Sequence, residues 1–156
     1  MNQLLELAAL AAFGATLLLV VRADLREFRI PDRVLGYGTM GVVALLALTA
    51  AAAGDIALLR RAVAGALVSF GIYLVLHLVA RGAIGFGDVK LAALIGLVTG
   101  WFGAGAALVA VAAGFVAAGL TAIVLLITRQ GTKHTAIPLA PFMALGAVFA
   151  VGFAFQ

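Results

Sequence analysis

The chain has 156 residues; 66% are hydrophobic, ten are Lys or Arg, six are Asp or Glu, and the formal net charge is +4. So few charges cannot cover a soluble globule of this size, whose apolar surface would face water at about 25 cal/mol per Å², and a chain this apolar is not disordered. What remains is an all-α, polytopic membrane protein, read as one membrane-embedded domain over residues 1–156.

Charged residues divide the sequence into apolar runs. Leu7–Val21 stops at Arg22, Val34–Gly54 stops at Asp55, and Ala62–Ala80 stops at Arg81. No basic n-region precedes the first run, so it reads as a span and not as a cleaved signal. The fourth run, Leu91–Thr128, is 38 residues without a charge. As one helix it would be roughly 57 Å long, nearly twice the ~30 Å hydrocarbon core, so it must fold back. Gly100-Trp101-Phe102-Gly103 is the expected turn, with Trp101 suited to the membrane interface. The last run is Ala136–Gln156. Six transmembrane helices follow, at about 4–22, 33–53, 62–80, 89–101, 105–128 and 137–155. Gly96 and Gly100, four apart, are read as sites of close helix packing.

An even number of spans puts both termini on one side. The loops on the opposite side carry Arg22, Arg26, Arg29, Arg33, Arg81, Lys90, Arg129 and Lys133, eight of the ten basic residues, and leave Arg60 and Arg61 on the terminal side. The positive-inside rule then predicts cytoplasmic loops at 22–33, 81–90 and 129–135 and termini outside. A pI near 10.4 does not imply nucleic acid here, because the basic residues are few and act as topology signals. The absence of cysteine removes disulfides, thiol nucleophiles and thiolate metal sites.

The carboxylates sort by face. Glu6 and Asp55 fall outside; Asp24, Glu27, Asp32 and Asp88 fall inside. Asp24 follows the first span and Asp88 opens the fourth, so two acids 64 residues apart return to one membrane face. Acids at such depth are costly and mark functional sites. A close carboxylate pair shares a proton, so one member can polarise a carbonyl while the other deprotonates water. Structural readings stand beside this one. Asp88 follows Gly85-Phe86-Gly87 and could cap a helix; Asp24 could pair with Arg22, Arg26 or Arg29. Asp32, after Ile30-Pro31, suits a first helical turn, and Glu27 suits a solvated loop. Lys90 could orient substrate, tune the acids or snorkel. His77 and His134 read as polar interface residues, and no metal or cofactor site is expected.

Arg22-Ala23-Asp24-Leu25-Arg26-Glu27-Phe28-Arg29-Ile30-Pro31-Asp32 resembles the first aspartate motif of type IV prepilin peptidases. Gly85-Phe86-Gly87-Asp88-Val89-Lys90-Leu91 resembles their Gly-x-Gly-Asp motif, and Ala136–Gly146, with Ile137-Pro138 and Pro141-Phe142, is similar to the opening of their last helix. The resemblance implies an intramembrane aspartic endopeptidase of the inner membrane whose site faces the cytoplasm. Its substrates would be prepilins or pseudopilins, cut between a short basic leader and an apolar helix. Asp24 and Asp88 would be the catalytic pair. Gly85, Gly87, Lys90, Glu27 and Asp32 would shape the site or bind substrate, the glycines by letting backbone approach the scissile peptide. The short, cysteine-free chain resembles the peptidase-only form found with tight-adherence (Tad/Flp) pili, so N-methyltransferase activity is not expected. Arg22, Arg26, Arg29 and Arg33 are candidates for anionic lipid headgroups.

The dipole at the start of the fourth span favours an anionic Asp88, which makes Asp88 the expected base and Asp24 the initial acid. Two other classes fit the same acids: a small ion-coupled transporter, and a non-catalytic membrane scaffold whose aspartates cap helices.

Overall fold

The structure is a computed structural model that describes residues 2–81, 84–128 and 138–154. Among these, six helices follow in chain order: α1 (Asn2–Glu27), α2 (Asp32–Ala53), α3 (Ile56–Val79), α4 (Phe86–Phe102), α5 (Ala104–Ile127) and α6 (Ala140–Ala154). Each overlaps one of the expected spans. Helices answer the requirement of a lipid solvent, in which every backbone N–H and C=O must bond within its own segment. Leu4, Leu18, Leu67, Val79, Ile127 and Val148 stand exposed, an outward apolar surface that suits lipid and not water.

Four helices are long and apolar enough to cross a membrane: α1, α2, α3 and, within α5, Gly105–Ile127. The other two are shorter, at 17 residues for α4 and 15 for α6. At 1.5 Å per residue these are roughly 26 and 23 Å long.

The helices outrun the charge-bounded runs at both ends of the bundle. α1 continues through Arg22 to Glu27, so Asp24 sits on a helix and not beyond one. α3 starts at Ile56, ahead of Arg60 and Arg61, because Asp55 caps it and accepts the Ala57 N–H at 2.8 Å. The α2–α3 turn is closed by Gly54 at φ 66°, a left-handed conformation that glycine adopts without penalty. Arginines near a helix end need not break it, since such a side chain can lay its stem along apolar surface and keep its charge in water.

The expected turn at 100–103 is narrower than the sequence indicates. α4 runs through Trp101 to Phe102 and the chain breaks at Gly103 alone, with φ 157°. Gly100 serves packing instead of turning. A Cβ there would meet the Arg61 carbonyl oxygen at 2.7 Å and the Gly65 Cα at 2.9 Å, and a Cβ on Gly96 would strike Gly65 and Ser69. α3 and α4 therefore approach backbone to backbone along a seam of small residues. α5 and α6 do the same at Gly114 and Gly146, while between α1 and α2 Gly38 makes room for the Thr16 side chain. Inside, Tyr73 of α3 stacks on Phe115 of α5 with centroids 5.0 Å apart. At the end of the bundle where α1 begins, Trp101 Nε1 donates to Glu6 Oε1 at 3.0 Å and ties α4 to α1.

Candidate active site

At the opposite end from Glu6 and Trp101, the last turn of α1 and the first turn of α4 border one cavity of about 360 Å³. Asp24 and Asp88 both line it, with Asp32, Gly85, Gly87 and Lys90. Six of the seven residues expected to form or shape the site thus meet. Glu27, exposed at the end of α1, does not line the cavity. Phe28, Arg29, Ile30 and Phe86 line it as well. They lie inside the two aspartate motifs, but no periodicity in the sequence distinguishes them from other loop residues. A larger apolar groove of about 510 Å³ between α1 and α6, bordered by Leu18, Val21, Pro141 and Leu145, has no titratable side chain on its walls.

The two acids are nearly buried, with 6% of Asp24 and 9% of Asp88 exposed. Among the described residues Asp24 forms no ion pair with Arg22, Arg26 or Arg29. Its Oδ2 accepts the N–H of Ala140, the first residue of α6, at 3.0 Å. This contact spans 116 residues and joins the first motif to the segment that opens the last helix.

Asp88 lies one turn inside α4, with Gly85 and not Asp88 at the N-cap. Its Oδ2 accepts the Gly85 N–H at 3.1 Å, and its own N–H donates to the Gly85 carbonyl at 3.1 Å. Asp88 does cap its helix, as one reading of the sequence had it, from the third helical position.

The glycines of the motif make room for the chain's own atoms. A Cβ on Gly87 would come within 3.0 Å of Ile30 Cβ, and a Cβ on Gly85 within 3.2 Å of Asp88 Oδ2. Gly87 lets the 28–31 segment of the first motif lie against the second, which is how the two aspartates come to border one space. Phe28 turns that segment out of α1 at φ 50°, its N–H bonded to the Asp24 carbonyl at 2.9 Å. A bulky side chain in this left-handed region is strained, a feature concentrated at functional sites.

Lys90 Nζ donates to Asp32 Oδ1 at 2.7 Å and lies 5.3 Å from the Phe86 ring centroid. The pair links α4 to the first turn of α2 across the cavity rim, and both members are solvent-accessible. His77, near the end of α3, reaches the Ile84 carbonyl with Nδ1 at 2.6 Å and meets the Phe86 ring edge-on at 5.8 Å. Arg22, Arg26, Arg29 and Arg33 are arrayed around the same end of the bundle. His134, Arg129 and Lys133 lie outside the described residues, as do Ala136 and Ile137 of the third resembling segment.

Comparisons with known proteins bear on this arrangement. No match to the chain was found among curated proteins or among solved structures. A family model described as the type IV leader peptidase family matches residues 11–154. That span takes in both aspartates, the cavity they line and every helix except the start of α1, and the chain belongs to the type IV leader peptidase family.

Proposed function

We propose that this peptidase is an intramembrane aspartic endopeptidase that removes the basic leader of a prepilin or pseudopilin, with Asp24 and Asp88 activating one water. The observation that carries the reading is the convergence of two nearly buried carboxylates, 64 residues apart in sequence, on one cavity beside the Gly85–Asp88 turn. In the proposed topology all six helices span, both termini lie outside, and the cavity opens to the cytoplasm at the inner membrane. The arginines at that end support it. They would also rest on anionic headgroups at about 1 kcal/mol each.

The pair holds one proton. Helix dipoles do not choose its site, because both acids lie at helix starts: Asp88 in the first turn of α4, Asp24 against the first N–H of α6. Among the described residues, backbone groups of Leu139 and Ala140 bond the Asp24 carboxylate and Gly85 alone bonds Asp88, so the better supported anion is Asp24 and the proton is assigned to Asp88, which reverses the roles expected from the sequence. The Asp88 acid donates a hydrogen bond to the scissile carbonyl while the Asp24 carboxylate takes a proton from water. Hydroxide adds to the carbonyl carbon and the Asp88 proton moves to the oxygen. Collapse breaks the C–N bond, Asp24 delivers its proton to the leaving amine, and the carbonyl re-forms as the hydroxyl proton returns to Asp88. Methyl transfer to the new terminus is not part of the proposed reaction. The exposed Asp32, paired to Lys90 on the rim, is the acid best placed to meet a basic leader.

Family membership favours hydrolysis over an ion-coupled carrier or a scaffold. The test is cleavage of a synthetic leader–helix peptide by the purified protein in lipid. Asp24→Asn and Asp88→Asn should each lower kcat by about 10²–10⁴-fold, the range for loss of a positioned acid or base. An Asp24→Asn protein that cuts at the parent rate removes Asp24 from the mechanism, and a parent that leaves the peptide whole returns the carrier and scaffold readings.

A further inference from the structure

Peptide hydrolysis by the two aspartates leaves a histidine beside the site unused. We propose that His77 is a positioning residue for Asp88, acting through the single peptide group that joins Ile84 to Gly85. The inference rests on the assignment of Asp88 to the catalytic pair.

His77 Nδ1 lies 2.6 Å from the Ile84 carbonyl oxygen. A carbonyl only accepts, so Nδ1 carries the proton and donates. The same peptide unit presents the Gly85 N–H, which donates to Asp88 Oδ2 at 3.1 Å. Imidazole N–H, peptide C=O, peptide N–H and carboxylate thus form one unbroken line. Hydrogen bonds in series polarise one another: donation into the carbonyl makes the amide N–H on the other side a stronger donor to the carboxylate. It also fixes the plane of that peptide, and with it the direction in which Asp88 is held.

The surroundings fit this role. His77 comes from α3, a different helix from Asp88, so the bond anchors the turn leading into α4 to a rigid neighbour. The ring is braced edge-on against Phe86, whose own centroid lies 5.3 Å from Lys90 Nζ. Gly85 has no side chain to disturb the link, and a Cβ there would press on the Asp88 carboxylate. His77 itself does not line the cavity, so it reaches the reaction only through the peptide.

Two variants separate positioning from packing. His77→Phe keeps an aromatic ring against Phe86 and removes the donor; His77→Asn supplies an amide N–H near the Nδ1 position. Donation to a carboxylate favours its charged form, so weakening the Gly85 N–H by removing the His77 donor from the Ile84 carbonyl should raise the pKa of Asp88. The alkaline limb of kcat/KM in the His77→Phe protein should therefore move to higher pH by about half a unit or more. Its kcat should fall about tenfold at neutral pH with KM changed less than about twofold, and His77→Asn should recover most of both. Equal losses in the two variants with an unmoved limb would mean simple packing and overturn the proposal, as would a His77→Phe enzyme identical to the parent. Should His77→Phe not fold, the ring nitrogen shifts of the labelled parent decide: an Nδ1 without a proton at pH 8 overturns it. The Asp88→Asn control keeps the two assignments apart. If that protein is active, Asp88 is not catalytic; if it is inactive while the His77 variants behave as the parent, only the role of His77 fails.

Discussion

Asp88 carries two duties that oppose each other. As a cap it accepts the Gly85 N–H and secures the start of α4; as a nearly buried acid beside Asp24 it has little water to solvate a charge. The Asp88→Asn protein keeps an acceptor for Gly85 but has no charge to bury. Its unfolding temperature in detergent should exceed the parent's at pH 8. An unfolding temperature at or below the parent's would show that the charge of Asp88 does not burden the fold. The types of the critical residues were legible in the sequence: two acids on one face, glycines before the second. Their partners were not. Asp24 looked like a partner for nearby arginines, yet its carboxylate bonds Ala140, and Gly87 answers to Ile30. These contacts cross between segments distant in the chain, and no local pattern encodes them.

At the scale of helices, the seam between α3 and α4 governs how Asp88 is presented, because α4 carries it and α3 carries His77. The seam is made of Gly65, Gly96 and Gly100, with Ser69 filling the next position. The four-residue spacing of Gly96 and Gly100 was visible in the sequence as a packing signal; that Gly65 stands opposite was not, since pairing depends on which helices become neighbours. Gly96→Leu must push α3 from α4, and overpacking of this kind costs about 1–3 kcal/mol. The expected outcome is a lower unfolding temperature together with reduced cleavage. Gly71→Leu, on α3 where a Cβ meets nothing within 4 Å, should leave both near the parent values. Equal damage from the two substitutions would contradict the seam. Helix ends show a related lesson. Arginines that bound the apolar runs in sequence, such as Arg22, Arg60 and Arg61, lie on helices in the structure, since an interfacial arginine extends its stem toward headgroups without breaking backbone bonds.

For the whole molecule, the distribution of basic residues predicts sidedness, and the natural absence of cysteine makes it measurable. Glu27→Cys marks the end of α1 on the cavity side; Ala53→Cys marks the end of α2 on the other. Both positions are exposed. In intact inner-membrane vesicles of right-side-out orientation, a membrane-impermeant maleimide should label residue 53 directly and residue 27 only after permeabilisation. The reverse pattern would put the acid cavity outside and refute cleavage of a leader held in the cytoplasm. By itself the sequence determined that this is a helical membrane protein, how many apolar helices to expect, roughly where each begins and ends, and which two acids to watch, because lipid permits few backbone solutions and charges are scarce enough to be informative. Only the tertiary structure decided that those acids share a cavity, that α6 supplies an N–H to one of them, and that an α3 histidine grips the peptide bonded to the other. Such pairings arise from close approach of small residues on separate helices, and that approach depends on three-dimensional neighbours that sequence order does not specify.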